Sequence, residues 1–311
     1  MNRRVFLKNL SLGAAGVLLP GCISSHAERG GLVGKELIRD SRFKKGFRLI
    51  DPELRVQDYG LWQPFSEEKP VWAIAQWGTR EKVIPLNQSS TLSNSCKSIS
   101  VTRSGSKVDL TLAVNGNQEY NGVPRSGDEM WVHLLVEQEI ESLPRLVDLR
   151  SLKFHLEAKL LYSILHKPEL FDAGKHAAQY QVFFYLQDRN GQSEGYGEMI
   201  WFGVPVYDNR KPKTERYEAL DFAGSGMFIC TLAHEDLCAD SAHEGKWIRL
   251  EADLLPGMIR AYSIAREKGF MKKTKSLEDL YLTGMNMGWE VPGLLDVSLQ
   301  VRHLSLIAEK I

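Results

Sequence analysis

Net charge is the first thing this sequence lacks. Its 39 basic and 39 acidic residues cancel over 311 positions, which removes the one-signed field that a nucleic-acid partner requires. A neutral partner is expected instead. Cysteine is scarce, with four in the whole chain and none in a CxxC or Cys/His spacing, so neither a metal site nor a cofactor is indicated. No apolar run reaches the roughly 20 residues that a membrane-spanning helix needs. No glycine-rich loop follows a strand and opens a helix, which leaves out a phosphate cradle. Internal repeats, low-complexity segments and an internal linker are also missing, so one large domain is expected over residues 46–311.

What is present begins with an export signal. MNRRVFLKNLSLGAAGVLLPGC places a basic start before a short apolar run from Leu10 to Leu19 and then small residues, the layout of a secreted chain's leader. Arg3-Arg4-x-Phe6-Leu7-Lys8 resembles a twin-arginine signal, with Asn2 where Ser or Thr is usual. Leu19-Pro20-Gly21-Cys22 resembles a bacterial lipobox, which implies lipidation of Cys22 and a lipoprotein of a bacterial cell envelope, anchored to the membrane by its lipid. Residues 1–22 are then the signal, and the polar, glycine-bearing stretch 23–45 is a tether. Cys96, Cys230 and Cys238 remain, an odd number, so at least one thiol stays free in an oxidising compartment. Cys230 and Cys238 flank TLAHEDL and are the pair a disulfide would join, provided they come within bridging distance.

The body reads as strands and turns. Ser98–Thr102 and Val108–Val114 alternate apolar and polar residues around the turn signal SGS, which predicts a hairpin. Further strands are predicted at 131–137, 152–160, 179–187, 198–206, 247–252, 280–289 and 297–306. Against these stands one clear helix, LLPGMIRAYSIAREKG, with Pro256 in its first turn. Many strands and one helix predict an all-β fold, a two-sheet antiparallel β-sandwich with one short covering helix.

Side-chain alternation inside these strands points to a ligand. In QYQVFFYLQ, Tyr180, Val182, Phe184 and Leu186 share a core-like face, whereas Gln181, Phe183, Tyr185 and Gln187 share the other. Rings beside amides suit a sugar, whose apolar faces stack on rings and whose hydroxyls bond to amides, although a partly exposed outer sheet has the same pattern. Trp62, Trp72, Trp77 and Trp201 are candidate sugar-stacking rings or core residues. YLTGMNMGWEVPG sets Asn286, Gly288 and Glu290 on one strand face, leaving open space beside the Glu290 carboxylate.

In order along the chain, Ala178-Gln179-Tyr180-Gln181-Val182-Phe183, Glu198-Met199-Ile200-Trp201-Phe202 and Tyr281-Leu282 with Asn286-Met287-Gly288-Trp289-Glu290 resemble three strands of the glycoside hydrolase family 12 endoglucanases and xyloglucanases. The resemblance covers about residues 178–306. It implies a concanavalin-like jelly roll with a substrate cleft on its concave face, and hydrolysis of a β-glucan-type polysaccharide by a retaining two-carboxylate mechanism. Carried over residue by residue, it implies Glu198 as nucleophile and Glu290 as acid/base, with Gln181, Phe183, Tyr185, Trp201, Asn286 and Trp289 binding substrate. Two departures stand out. Gln181 occupies the position of the family's aspartate, and Glu198 lies three residues before Trp201 where the family has four. Three arrangements remain open: a bulge near Gly195–Gly197 that turns Glu198 into the cleft, a strand that presents its other face, or a structural Glu198 with the nucleophile absent. The last corresponds to a non-catalytic surface glycan-binding protein. A polysaccharide lyase is a further alternative, without the basic cleft such an enzyme normally uses.

Overall fold

The computed structural model describes residues 34–51, 56–84, 89–221 and 225–311. The export signal, Cys22 and residues 23–33 of the tether lie outside the described residues, while the rest of the stretch expected to be a tether joins the fold, its Leu37, Ile38 and Phe43 buried in the core. In chain order the strands are β1 (Lys35–Glu36), β2 (Phe47–Asp51), β3 (Val56–Trp62), β4 (Trp72–Ala75), β5 (Thr91–Ser93), β6 (Lys97–Ser104) and β7 (Lys107–Asn115). A single helical turn, α1 (Gly116–Glu119), follows. Then come β8 (Val132–Glu139), β9 (Leu149–Leu165), β10 (Gln179–Asp188), β11 (Met199–Asp208), β12 (Glu218–Leu220), β13 (Phe228–Thr231) and β14 (Ile248–Asp253). The helix α2 (Leu255–Glu267), β15 (Leu280–Val291) and β16 (Leu295–Lys310) complete the fold.

These strands make two sheets. One is seven-stranded, in the order β14-β9-β16-β7-β6-β5 with β1 on β16, and the other is nine-stranded, in the order β12-β13-β11-β10-β15-β8-β4-β2-β3. The predicted two-sheet sandwich with one covering helix is therefore what the chain forms. It departs from strict antiparallel order at two places, where β2 runs parallel to β4 and β11 parallel to β13.

The core lies between the sheets and is built by alternation. Tyr180, Val182, Phe184 and Leu186 of β10, Ile200, Phe202 and Val204 of β11, and Met285, Met287, Trp289 and Val291 of β15 all face inward and are buried. They meet Leu110, Leu112, Phe154, Leu156, Leu299 and Val301 of the opposing sheet. Each such Leu, Ile or Phe contributes about 1.5–3 kcal/mol by leaving water. The indole N–H of Trp289 crosses the core and donates to the carbonyl of Leu112 at 2.8 Å, so the ring's one polar atom is satisfied. Trp289 is thus a core residue rather than the substrate contact the resemblance implied, and Trp62 and Trp72 are fully buried in the same core. Helix α2 packs Leu255, Met258, Ala261, Tyr262 and Ala265 against β9 and β11.

The Cys230–Cys238 bridge that the sequence left open is not formed. Cys96, Cys230 and Cys238 are free thiols. Burial, aided by Glu218, pushes the Cys230 thiol up to about 11, which keeps it unreactive.

Candidate functional site

The outer face of the nine-stranded sheet collects most of the predicted site residues. Register places them in rows that run across the strands. One row is Ala73 (β4), Glu137 (β8), Asn286 (β15), Phe183 (β10) and Gly203 (β11). The next is Ala75, Leu135, Gly288, Gln181 and Pro205. A third is His133, Glu290, Gln179 and Asp208. Side chains alternate with a period of two, and the bulge opposite Tyr180/Gln181 shifts β11 by one residue before Asp208, so all three rows project away from the core.

The rings on this face are not open to solvent. Phe183, Tyr185 and Trp201 are 8%, 5% and 7% exposed and pack with Met199, Met227 and Ile229 into a satellite apolar cluster. Trp201 stands edge-on to Tyr185 with ring centroids 4.8 Å apart, and its indole N–H donates to Ser225 Oγ at 3.2 Å. Two glycines make this packing possible: a Cβ on Gly203 would lie 2.9 Å from the Phe183 ring, and one on Gly284 would lie 2.8 Å from the Tyr185 ring. Across the face, Ile50, Ala73, Ala75, Trp77 and Leu135 form a second apolar cluster. Between the two runs a polar strip, the channel, with Glu137, Asn286 and Gln181 along it and Glu290 and His133 at one end.

Electrostatics in the channel follow from burial. Glu137 is 8% exposed, and burial pushes its carboxyl up to about 8, with Arg48 opposing and Glu139 adding to the rise. Among the described residues its Oε2 has no hydrogen-bond partner; nor have Asn286 Oδ1 and Gln181 Oε1. Glu290 keeps 12% of its side chain exposed, and its Oε1 lies 3.6 Å from His133 Nε2. The other ring nitrogen of His133 lies 2.7 Å from the Trp131 carbonyl, to which an N–H there donates.

Two strands from Glu290, at its own register level, stands Asp208. Burial opposes the charge on Asp208, but the Arg210 side chain and backbone N–H, together with Gln179, outweigh it and hold the carboxyl below its ordinary range. Arg210 Nε and Nη2 donate to its two oxygens at 2.9 and 2.7 Å, and Gln179 Nε2 donates at 2.8 Å. His243, exposed in the turn before β14, has its Nε2 2.9 Å from the Asp208 carbonyl and its ring against Tyr207.

Glu198 is elsewhere. It immediately precedes β11, and its carbonyl accepts from the N–H of Asp188, nine positions along β10 from Gln179, the partner of Glu290. At roughly 3.3 Å per residue this separates the two glutamates by about 30 Å, far beyond the spacing of about 5–5.5 Å of a retaining pair. No bulge turns Glu198 into the channel. Its carboxylate accepts the backbone N–H groups of Lys273 and Thr274 at 3.1 and 2.9 Å and the Thr274 hydroxyl at 2.9 Å. Gln181, paired with Pro205 and Gly288, does not orient it.

The sequence reading missed Glu137, His133 and Asp208. A signal for the first two was present: in WVHLLVE the alternation that buries Val132, Leu134 and Val136 sends His133, Leu135 and Glu137 to the other face. Among the described residues no group of three or more His, Cys, Asp or Glu is placed to hold a metal ion.

No protein-family model matches the chain, and no curated protein does. Among solved structures it is similar to the endoglucanase Cel12A from Rhodothermus marinus, with 10% identity, a TM-score of 0.40, and coverage of 71% of this chain and 92% of that one. The family 11 xylanase from Neocallimastix patriciarum gives 10% identity and a TM-score of 0.37 over 70% of this chain and 88% of that one. The xyloglucanase domain of NopAA from Sinorhizobium fredii, in complex with cellobiose, gives 9% identity and a TM-score of 0.34 over 70% and 97%.

Proposed function

We propose that the outer face of the nine-stranded sheet binds a neutral β-glucan-type polysaccharide and that the protein is a glycoside hydrolase acting on it. The observation that carries this reading is one channel holding a carboxylate, Glu290, with the amides Asn286 and Gln181 between two apolar banks. A pyranose offers the matching surface, hydroxyls at its rim and C–H groups on its faces.

In this reading Glu290 protonates the leaving glycosidic oxygen. The second carboxylate is Asp208, which shares Glu290's register level, in place of Glu198. Two strand steps separate their backbones by about 9.6 Å. That backbone spacing is nearer the roughly 6.5–9.5 Å between the carboxyls of an inverting pair than the roughly 5–5.5 Å of a retaining one, so the reading is inversion through a water rather than the retaining chemistry implied by the family resemblance. The test is release of reducing ends from a panel of β-glucans, xyloglucan included, with the anomer of the first product read by NMR. If no polymer is cut and Glu290→Gln matches the wild type throughout, the hydrolase reading is lost.

A glycan-binding protein without turnover is the second reading. It is favoured by Arg210 occupying both oxygens of Asp208 and by the anchoring of Glu198 in the 273–274 loop. Oligosaccharide binding with no product would select it. We further propose that the chain is exported and held at a membrane of the cell envelope by a lipid on Cys22, so that Cys22→Ala moves it from the membrane fraction to the soluble one.

A further inference from the structure

We propose that Glu137, Asn286 and Gln181 form a hydroxyl-reading floor, in which the Glu137 carboxyl donates to one sugar hydroxyl while the two side-chain carbonyls accept from its neighbours. This rests on the glycan reading of the face and adds residues that neither the motifs nor the carboxylate pair identified. The geometry is that of a built site. Glu137 and Asn286 are direct cross-strand partners, so their Cβ atoms lie about 4.5–5.5 Å apart, and Gln181 is the diagonal neighbour of Asn286 at about 7–8 Å. That span fits adjacent hydroxyls of one pyranose and the first of the next. Glu137 and Asn286 are 8% and 4% exposed, and each has an oxygen without a partner.

Buried polar atoms are normally bonded, and leaving one orphaned is costly. Three orphans on neighbouring positions of one face are readily explained by a ligand that supplies the missing bonds. Its chemistry is constrained. Beside Glu137 an anionic sugar would meet Glu290 and Asp208 on the same face, so a uronic acid is disfavoured and a neutral polyol preferred. A carboxyl that donates must hold its proton, and burial between the two apolar banks provides for that. The charged groups facing it are Arg48 from β2, Glu139 from its own strand, and His133 and Glu290 at the channel end. The facing stretches of β4 and β10 present none.

The experiment is titration calorimetry of the full chain with neutral cello- and xyloglucan-oligosaccharides between about pH 6 and 9.5. Wild-type affinity is expected to weaken by roughly tenfold or more as the pH passes the Glu137 transition and the donor becomes a buried anion. Glu137→Gln, an amide that still donates, should bind comparably at pH 6 and lose the pH dependence. Glu137→Leu and Asn286→Leu should each weaken binding by about tenfold at pH 6, with thermal melts showing that they fold. If Glu137→Leu fails to fold, the wild-type pH profile and the Gln variant decide. Binding that is flat with pH and unchanged in the Leu variants overturns the floor and leaves the glycan reading standing. Absence of binding by the wild type to every neutral oligosaccharide overturns both.

Discussion

Glu198 and Glu137 are both glutamates at the nine-stranded sheet, and their surroundings are opposite. Glu198 sits at the end of β11, partly exposed, with two backbone N–H groups and a hydroxyl donating to it. Glu137 sits in mid-sheet, buried, with an oxygen that no described residue bonds. The first is an anchor: its carboxylate ties the 273–274 loop to the turn between β10 and β11, and Thr274 passes the tie to the fully buried Asp188 at 2.9 Å. The second holds its strand position at an energetic cost that a ligand can relieve. Motif order alone favours Glu198, while the count of donors around each carboxylate separates the structural group from the available one.

The sharpest way to break this comparison is to neutralise each end. Glu290→Gln is expected to lower turnover by about 10²–10⁴-fold, the range for a lost general acid, whereas Glu198→Gln leaves turnover within a few-fold and lowers the melting temperature. Kinetics on a cleaved β-glucan beside thermal melts measure both. Equal activity losses would return Glu198 to the chemistry.

The next effect is on stability against pH. Glu137 titrates at about 8 in the fold against an ordinary 4.5, so the folded state holds the proton more tightly. Its contribution is fully present below about pH 4.5, is lost progressively as the pH rises, and levels off above about 8. Glu137→Gln should therefore melt increasingly above the wild type between those limits, and a constant difference would contradict the burial argument.

A smaller effect is expected at the anchor. Thr274→Val removes the hydroxyl shared by Asp188 and Glu198 and should cost about 1–3 kcal/mol in denaturant unfolding while leaving oligosaccharide affinity unchanged. The smallest is at Gly257, where a Cβ would stand 3.0 Å from both Leu232 and Phe202. Gly257→Ala gains helix propensity of about 1 kcal/mol against that crowding, so a net change within about 1 kcal/mol is expected.

Much of this molecule was legible in its sequence. Alternation in QYQVFFYLQ set that strand and named its buried face, because a pleated chain has only two faces and the apolar one must leave water, and WVHLLVE and VSLQVRHLSL were legible as strands. The same rule put Gln181, Asn286 and Glu290 on a common outer face. Trp289 was misjudged because it adjoins Glu290 in the chain, and in a strand adjacency means opposite faces. What the sequence could not supply was register. Which residue of β15 lies beside which of β10, and how far along β11 the next carboxylate stands, are set by turn geometry and bulges such as that between Tyr180 and Gln181. Distances of tens of ångströms hang on those offsets. Only the tertiary structure therefore decided that Glu198 anchors a loop and that Asp208 stands level with Glu290. It also decided that an unremarked glutamate of β8 lies at the centre of the channel, because burial and partners belong to neighbours that are remote in the chain.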